Sequence, residues 1–136
     1  GKLFTLVPMG SVAWRLNVGT AVFALSAATL LYLTGRRLLD YPLPALLGAV
    51  ALGLTPTFWS QAIEAEVYSL HALIITTALY LMQVASDKWQ VASKPKPLTI
   101  HHPPFTIYYY LFFLIGLGLT NHLTTVFLIP PALLAQ

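Results

Sequence analysis

The sequence predicts an all-α protein, a polytopic helical membrane bundle. Three observations carry that prediction. Only 8% of the 136 residues are charged, where soluble domains carry about 25%. Hydrophobic residues make up 57% of the chain, and the mean hydropathy is +0.75. The apolar residues also fall in runs that approach the roughly 20 helical residues needed to cross a hydrocarbon core. This balance excludes an ordinary soluble domain. The absence of cysteine removes disulfides and thiolate metal sites. The net charge of +3 forms no basic patch with interleaved aromatics, so no nucleic-acid partner is expected.

Five membrane segments follow in order. The first covers about 14–33 and ends at Gly35-Arg36-Arg37. The second covers 44–58, with Tyr41-Pro42 and Pro44 at its start, where proline suits a helix N-terminus. The third covers 63–84. The fourth and fifth, 107–120 and 123–136, are short and are separated at Asn121-His122, where Gly116, Gly118 and Asn121 weaken a helix. Residues 86–105 form a hydrophilic loop. Its Ser93-Lys94-Pro95-Lys96-Pro97 run reads as an extended linker, and His101-His102 lack a third ligand for a metal. The run Gly48-Ala49-Val50-Ala51-Leu52-Gly53 allows close helix contact. The chain opens and stops inside apolar sequence, so residues 1–136 read as one transmembrane domain fragment of a longer protein.

Charge orients the segments. Arg36, Arg37, Lys88, Lys94 and Lys96 fall on one side if each segment crosses once. The positive-inside rule makes that side cytoplasmic. The opposite side receives Pro8 to Arg15, Phe58 to Glu66, and Asn121-His122. Lysine and arginine alone drew this topology, yet it collects both glutamates and the Asn-His pair on the outer face.

The segment from Phe58 to His71 stands out within it. Two acids beside apolar sequence cost free energy unless they face water, a partner or a substrate. On one continuous helix, Gln61, Glu64, Tyr68 and His71 share a face, while Glu66 points to the side of Trp59. Such a stripe should face other helices or a wet cavity. It reads either as a functional site or as an interhelical hydrogen-bond network. Trp59 fits an aromatic belt, with substrate stacking as the other reading. Arg15 either snorkels to headgroups, binds a phosphate, or pairs with a glutamate. Asn121 and His122 are candidates to hydrogen-bond a lipid phosphate, and neutral imidazole is also a candidate base; a helix cap is the plainer account.

Four runs carry a resemblance: Ser11-Val12-Ala13-Trp14-Arg15-Leu16-Asn17, Pro56-Thr57-Phe58-Trp59-Ser60-Gln61-Ala62, Glu66-Val67-Tyr68-Ser69-Leu70-His71 and Gly118-Leu119-Thr120-Asn121-His122-Leu123. In order and spacing the chain resembles the transmembrane protein O-mannosyltransferase-like family. The resemblance covers nearly the whole chain and implies part of a C-type glycosyltransferase fold in a bacterial inner membrane. It implies transfer of a sugar, with mannose the candidate, from a polyprenyl-phosphate donor to a protein or glycan acceptor on the extracytoplasmic face. It places the main catalytic acid upstream of Gly1, so the fragment is expected to be inactive alone. Glu64 and Glu66 would then support catalysis. Arg15, Trp59, Gln61, Tyr68, His71, Asn121 and His122 would bind substrate. No cofactor is expected, and two glutamates without a third ligand leave a metal requirement open. The competing readings are a lipid-linked sugar transporter and a non-catalytic membrane subunit.

Overall fold

The computed structural model describes residues 6, 8, 10–64, 67–92 and 105–134. Glu66, most of the hydrophilic loop and its His101-His102 pair lie outside the described residues.

Helix α1, Val12–Leu38, starts at Ser11, whose hydroxyl accepts from the Trp14 N–H at 3.2 Å. That side-chain cap satisfies one of the unpaired N–H groups of the first turn. Gly10 precedes it at φ +66, and a Cβ there would lie 2.8 Å from the Trp14 ring. Glycine is therefore required on both grounds. Arg36 and Arg37 occupy the last turn, where positive charge suits the helix dipole.

Pro42 opens α2, Pro42–Leu54. Pro56 then holds Thr55 in an extended conformation, φ −66 and ψ 135, and opens α3, Pro56–Ile63. The two helices are bent by 63° across that break. The single segment expected over 44–58 is therefore two helices. The third segment differs as well. Glu64 is extended at ψ 138 and ends α3, and α4 begins only at Tyr68, running Tyr68–Ala92. The continuous helix expected over Gln61–His71 is thus broken. A tertiary tie holds the chain just before this break. The Thr20 hydroxyl on α1 donates to the Ala62 carbonyl at 3.0 Å while also reaching Asn17 O at 2.9 Å.

Helix α5, Phe105–Asn121, ends at an extended His122, φ −155 and ψ 131. A 3-10 helix, Leu123–Leu128, and a short α6, Ile129–Leu134, complete the described chain. Pro130 and Pro131 sit in the first turn of α6, where a missing N–H is tolerated.

Two helices, α1 and Tyr68–Asp87 of α4, are long and apolar enough to cross a membrane; the bent α2–α3 pair makes a third if taken as one span. The two C-terminal apolar pieces are shorter. The protein is an all-α helical membrane bundle, with two to three such spans among the described residues, where the sequence suggested about five segments.

Helix α1 packs along α4 and against α2, and α5 packs on α4. The contact faces are built from small residues. Ala24 and Ala27 of α1, Ala45 and Ala49 of α2, and Ala78 and Ala85 of α4 are buried. Without a hydrophobic drive between helices in lipid, close approach of this kind supplies the packing. A Cβ at Gly35 would meet that of Ala45 at 3.0 Å, whereas nothing lies near Gly48 or Gly53. The close contact expected from the Gly48–Gly53 run is therefore made by Ala49 instead, with Ala45 one turn before it. A second core joins Ala78 and Met82 of α4 to Leu111 and Ile115 of α5 and to Leu128 and Ala132.

Two ties set the direction of the helices. Thr20 meets Ala62 at one end. At the other, Arg37 reaches Asp87 at 2.6 Å and the Tyr80 hydroxyl at 3.3 Å. Helices α1 and α4 therefore run parallel, with the two ties separated by about 25 Å of α1.

Candidate functional site

The site lies at the end of the bundle away from Arg37 and Asp87. Three pieces of chain converge there: the break between α3 and α4, the first turn of α4, and the turn after α5.

His71 and His122 form its centre. His71 lies one turn into α4 and is only 8% exposed. Its Nε2 lies 3.0 Å from the Thr124 hydroxyl, and that hydroxyl lies 2.9 Å from Nδ1 of His122. The backbone N–H of Thr124 also donates to this Nδ1, at 3.3 Å. His122 thus caps the 3-10 helix with its side chain. The two imidazole rings are 4.9 Å apart between centroids, and the Tyr68 ring lies 6.1 Å from His122. Asn121 donates through Nδ2 to the Val67 carbonyl at 3.3 Å. This ties the end of α5 to the residue before α4.

Gly118 makes the turn possible. A Cβ at this position would lie 2.6 Å and 2.8 Å from the Thr125 side chain and 3.1 Å from Ile74. The buried Thr125 in turn donates through its hydroxyl to the His122 carbonyl at 2.9 Å. The backbone of His122 is therefore held from both sides, since its N–H donates to Gly118 O at 2.8 Å.

A cavity of about 260 Å³ adjoins this cluster through Tyr68. Leu52, Phe58 and Ala72 supply apolar wall, and Thr57, Gln61 and Ser69 supply polar groups. Ser69 is 2% exposed. Its hydroxyl and the Gln61 side-chain carbonyl are buried with no hydrogen-bond partner among the described residues. Buried polar atoms are normally paired, so these two oxygens, on residues that line the cavity, stand out. Among the described residues no three His, Asp or Glu side chains gather to hold a metal.

The family model described as "Protein O-mannosyl-transferase TMEM260 N-terminal domain" matches residues 1–135. The chain belongs to this family. Protein O-mannosyl-transferase TMEM260 of Mus musculus is 38% identical over 71 residues, which are 52% of this chain and 10% of the mouse protein. The match therefore spans about a tenth of that relative's length. No solved structure matches the chain.

Within this O-mannosyl-transferase family domain, the structure brings together only some of the residues singled out in the sequence. Tyr68, His71, Asn121 and His122 meet, and Gln61 shares the cavity with Tyr68. Glu64 is exposed at the end of α3 and does not line the cavity. It is off the face of His71 because the helix breaks between them. Glu66 lies outside the described residues. Arg15 is half-buried, about a turn and a half before Thr20 on α1. It sits at the same end of the bundle but not in the cavity wall. Trp59 is 60% exposed and borders a separate cavity of about 220 Å³ with Ala21, Leu25 and Ile63.

Sequence reasoning passed over Thr124 and Ser69. A signal for Thr124 was present, because a hydroxyl two residues beyond a polar helix break sits where a capping side chain can reach its N–H. Ser69 carried no such signal, since serine is common in membrane helices and only burial makes it notable.

Proposed function

We propose that the protein is a multi-pass membrane glycosyltransferase that moves mannose from a polyprenyl-phosphate donor to a hydroxyl of a protein or glycan acceptor. One observation carries this reading. A cavity with apolar walls and two unmatched buried oxygens adjoins a hydrogen-bonded histidine pair, in a domain of an O-mannosyl-transferase family. The mouse relative's name supplies the sugar. The positive-inside rule, applied to Arg36, Arg37 and Lys88, supports a site on the extracytoplasmic face.

The chemistry divides among groups as follows. A carboxylate elsewhere in the intact protein takes the proton of the acceptor hydroxyl. The hydroxyl oxygen attacks the anomeric carbon, and the bond from that carbon to the lipid-phosphate oxygen breaks. The electron pair stays on the phosphate, whose charge must be offset by donors already in place. His122, Asn121 and Arg15 take that role. Gln61 and Ser69 pair with hydroxyls of the sugar, and Tyr68 lines its path. Glu64 and Glu66 support acceptor placement, and Trp59 anchors α3 at the interface.

The test is an assay of the intact protein in proteoliposomes with polyprenyl-phosphate mannose and a mixture of acceptors, read by mass spectrometry. Mannosylated product is expected, with a loss of about 10²-fold in His122→Ala. Wild-type rates in both His122→Ala and Glu66→Gln would overturn the site assignment. Absence of transfer from every lipid-phosphate sugar would overturn the reading itself.

A further inference from the structure

The hydrogen bonds around His122 determine where its ring proton sits. A backbone amide can only donate, and that of Thr124 donates to Nδ1 of His122. Nδ1 therefore presents its lone pair, and the neutral ring carries its proton on Nε2. The Thr124 hydroxyl lies 2.9 Å from the same Nδ1. An oxygen lone pair turned toward Nδ1 would face another lone pair, so the hydroxyl proton points there. Its oxygen is left to accept, and Nε2 of His71, 3.0 Å away, supplies the N–H. Donation runs one way, from His71 through Thr124 to His122. His71 holds this tautomer although its Nδ1 lone pair is buried without a partner among the described residues.

We propose that Thr124 and His71 are positioning residues that lock His122 as an Nε2–H donor toward a phosphate oxygen of the lipid-linked sugar. The proposal rests on the glycosyltransferase reading for its ligand, and on the hydrogen-bond geometry alone for the lock. The polarity suits the chemistry. A phosphate that gains charge as the sugar leaves needs a donor, whereas an Nε2 lone pair would repel it. The lock also removes His122 from the candidates for the base, because its only lone pair is committed to Thr124. The ring plane is bounded as well, by the tilted rings of His71 and Tyr68, whose centroids lie 4.9 Å and 6.1 Å from it.

The test uses the intact protein, labelled with [15N]histidine in lipid nanodiscs and read by solid-state 15N NMR. Signals are assigned by their loss in His71→Ala and His122→Ala. In the wild type, His122 is expected to show an unprotonated Nδ1 and a protonated Nε2. In Thr124→Val the backbone N–H of residue 124 is the donor left on Nδ1, so the unprotonated Nδ1 resonance should shift toward that of a more weakly hydrogen-bonded nitrogen, and in Thr124→Ser it should return. Transfer from polyprenyl-phosphate mannose should follow, with kcat lower by about 10-fold or more in Thr124→Val and the acceptor KM unchanged. Thr124→Ser should restore kcat. A protonated Nδ1 in the wild type overturns the lock. An unmoved Nδ1 resonance or unchanged kcat in Thr124→Val overturns the positioning role. A locked His122 in a protein that transfers no lipid-linked sugar overturns the phosphate role and the glycosyltransferase reading together, while the lock stands.

Discussion

His71 and His122 lie with ring centroids 4.9 Å apart and planes tilted by 39°, although one belongs to the first turn of α4 and the other to the break after α5. The hydroxyl of Thr124 joins them. Two separate stretches of chain therefore depend on each other for the shape of one site.

Gly118→Ala tests that dependence through packing. The added methyl would meet Thr125 and Ile74 well inside van der Waals contact. The substitution is expected to destabilise the bundle by about 1–3 kcal/mol, the usual range for overpacking. Thermal unfolding in nanodiscs reads it. Combining it with Thr125→Ala should cost less than the sum of the two changes, because the clash partner is gone. Strict additivity would mean that α5 shifts away from the turn instead.

Ser69→Ala separates stability from function. The hydroxyl is buried with no partner among the described residues, so its removal should leave the melting temperature unchanged or raise it, by up to about 1 kcal/mol of stability. Transfer activity should fall if the sugar pairs with it. A clear loss of stability would show that the hydroxyl already has a partner.

Pro56→Ala addresses the bend. With an N–H restored at position 56 and Thr55 released from its extended conformation, α2 and α3 are free to join into one straighter helix. Spin labels at the exposed Leu47 and Ile63 should move apart in double electron–electron resonance, and the cavity beside Phe58 and Gln61 should open. An unchanged distance distribution would mean that packing on α1, not the proline, sets the 63° bend.

At the far end, Arg37 and Asp87 are both partly exposed, at 37% and 57%. Such a pair contributes about 0–1 kcal/mol. Arg37 also lies 5.0 Å from the centroid of the Tyr80 ring, which adds about 0.5–1 kcal/mol. Arg37→Ala should therefore cost more than Asp87→Asn. Equal effects on thermal unfolding would leave Tyr80 without a role in this tie.

Much of the local structure was legible in the chain. Pro42 begins α2, and the chain breaks at Asn121-His122, as turn and cap chemistry require. Membrane character follows from charge depletion, and the gathering of the polar residues at one end follows from the order of apolar and basic runs. Backbone preferences and transfer free energies act over a few residues, so sequence reports them directly.

The end of α3 and the membership of the site were decided only in three dimensions. Nothing in Gln61-Ala62-Ile63-Glu64-Ala65 forbids a helix, and the spacing of Gln61, Glu64, Tyr68 and His71 favoured one. The Ala62 carbonyl is tied to Thr20 on another helix, and the chain leaves the helix at Glu64, which turns Glu64 away from His71. Thr124 acquires its place between two histidines only because Gly118 lets the following turn fold back on α4. Hydrogen bonds between distant segments need their partners brought within about 3 Å, a condition that packing sets and that no single segment encodes.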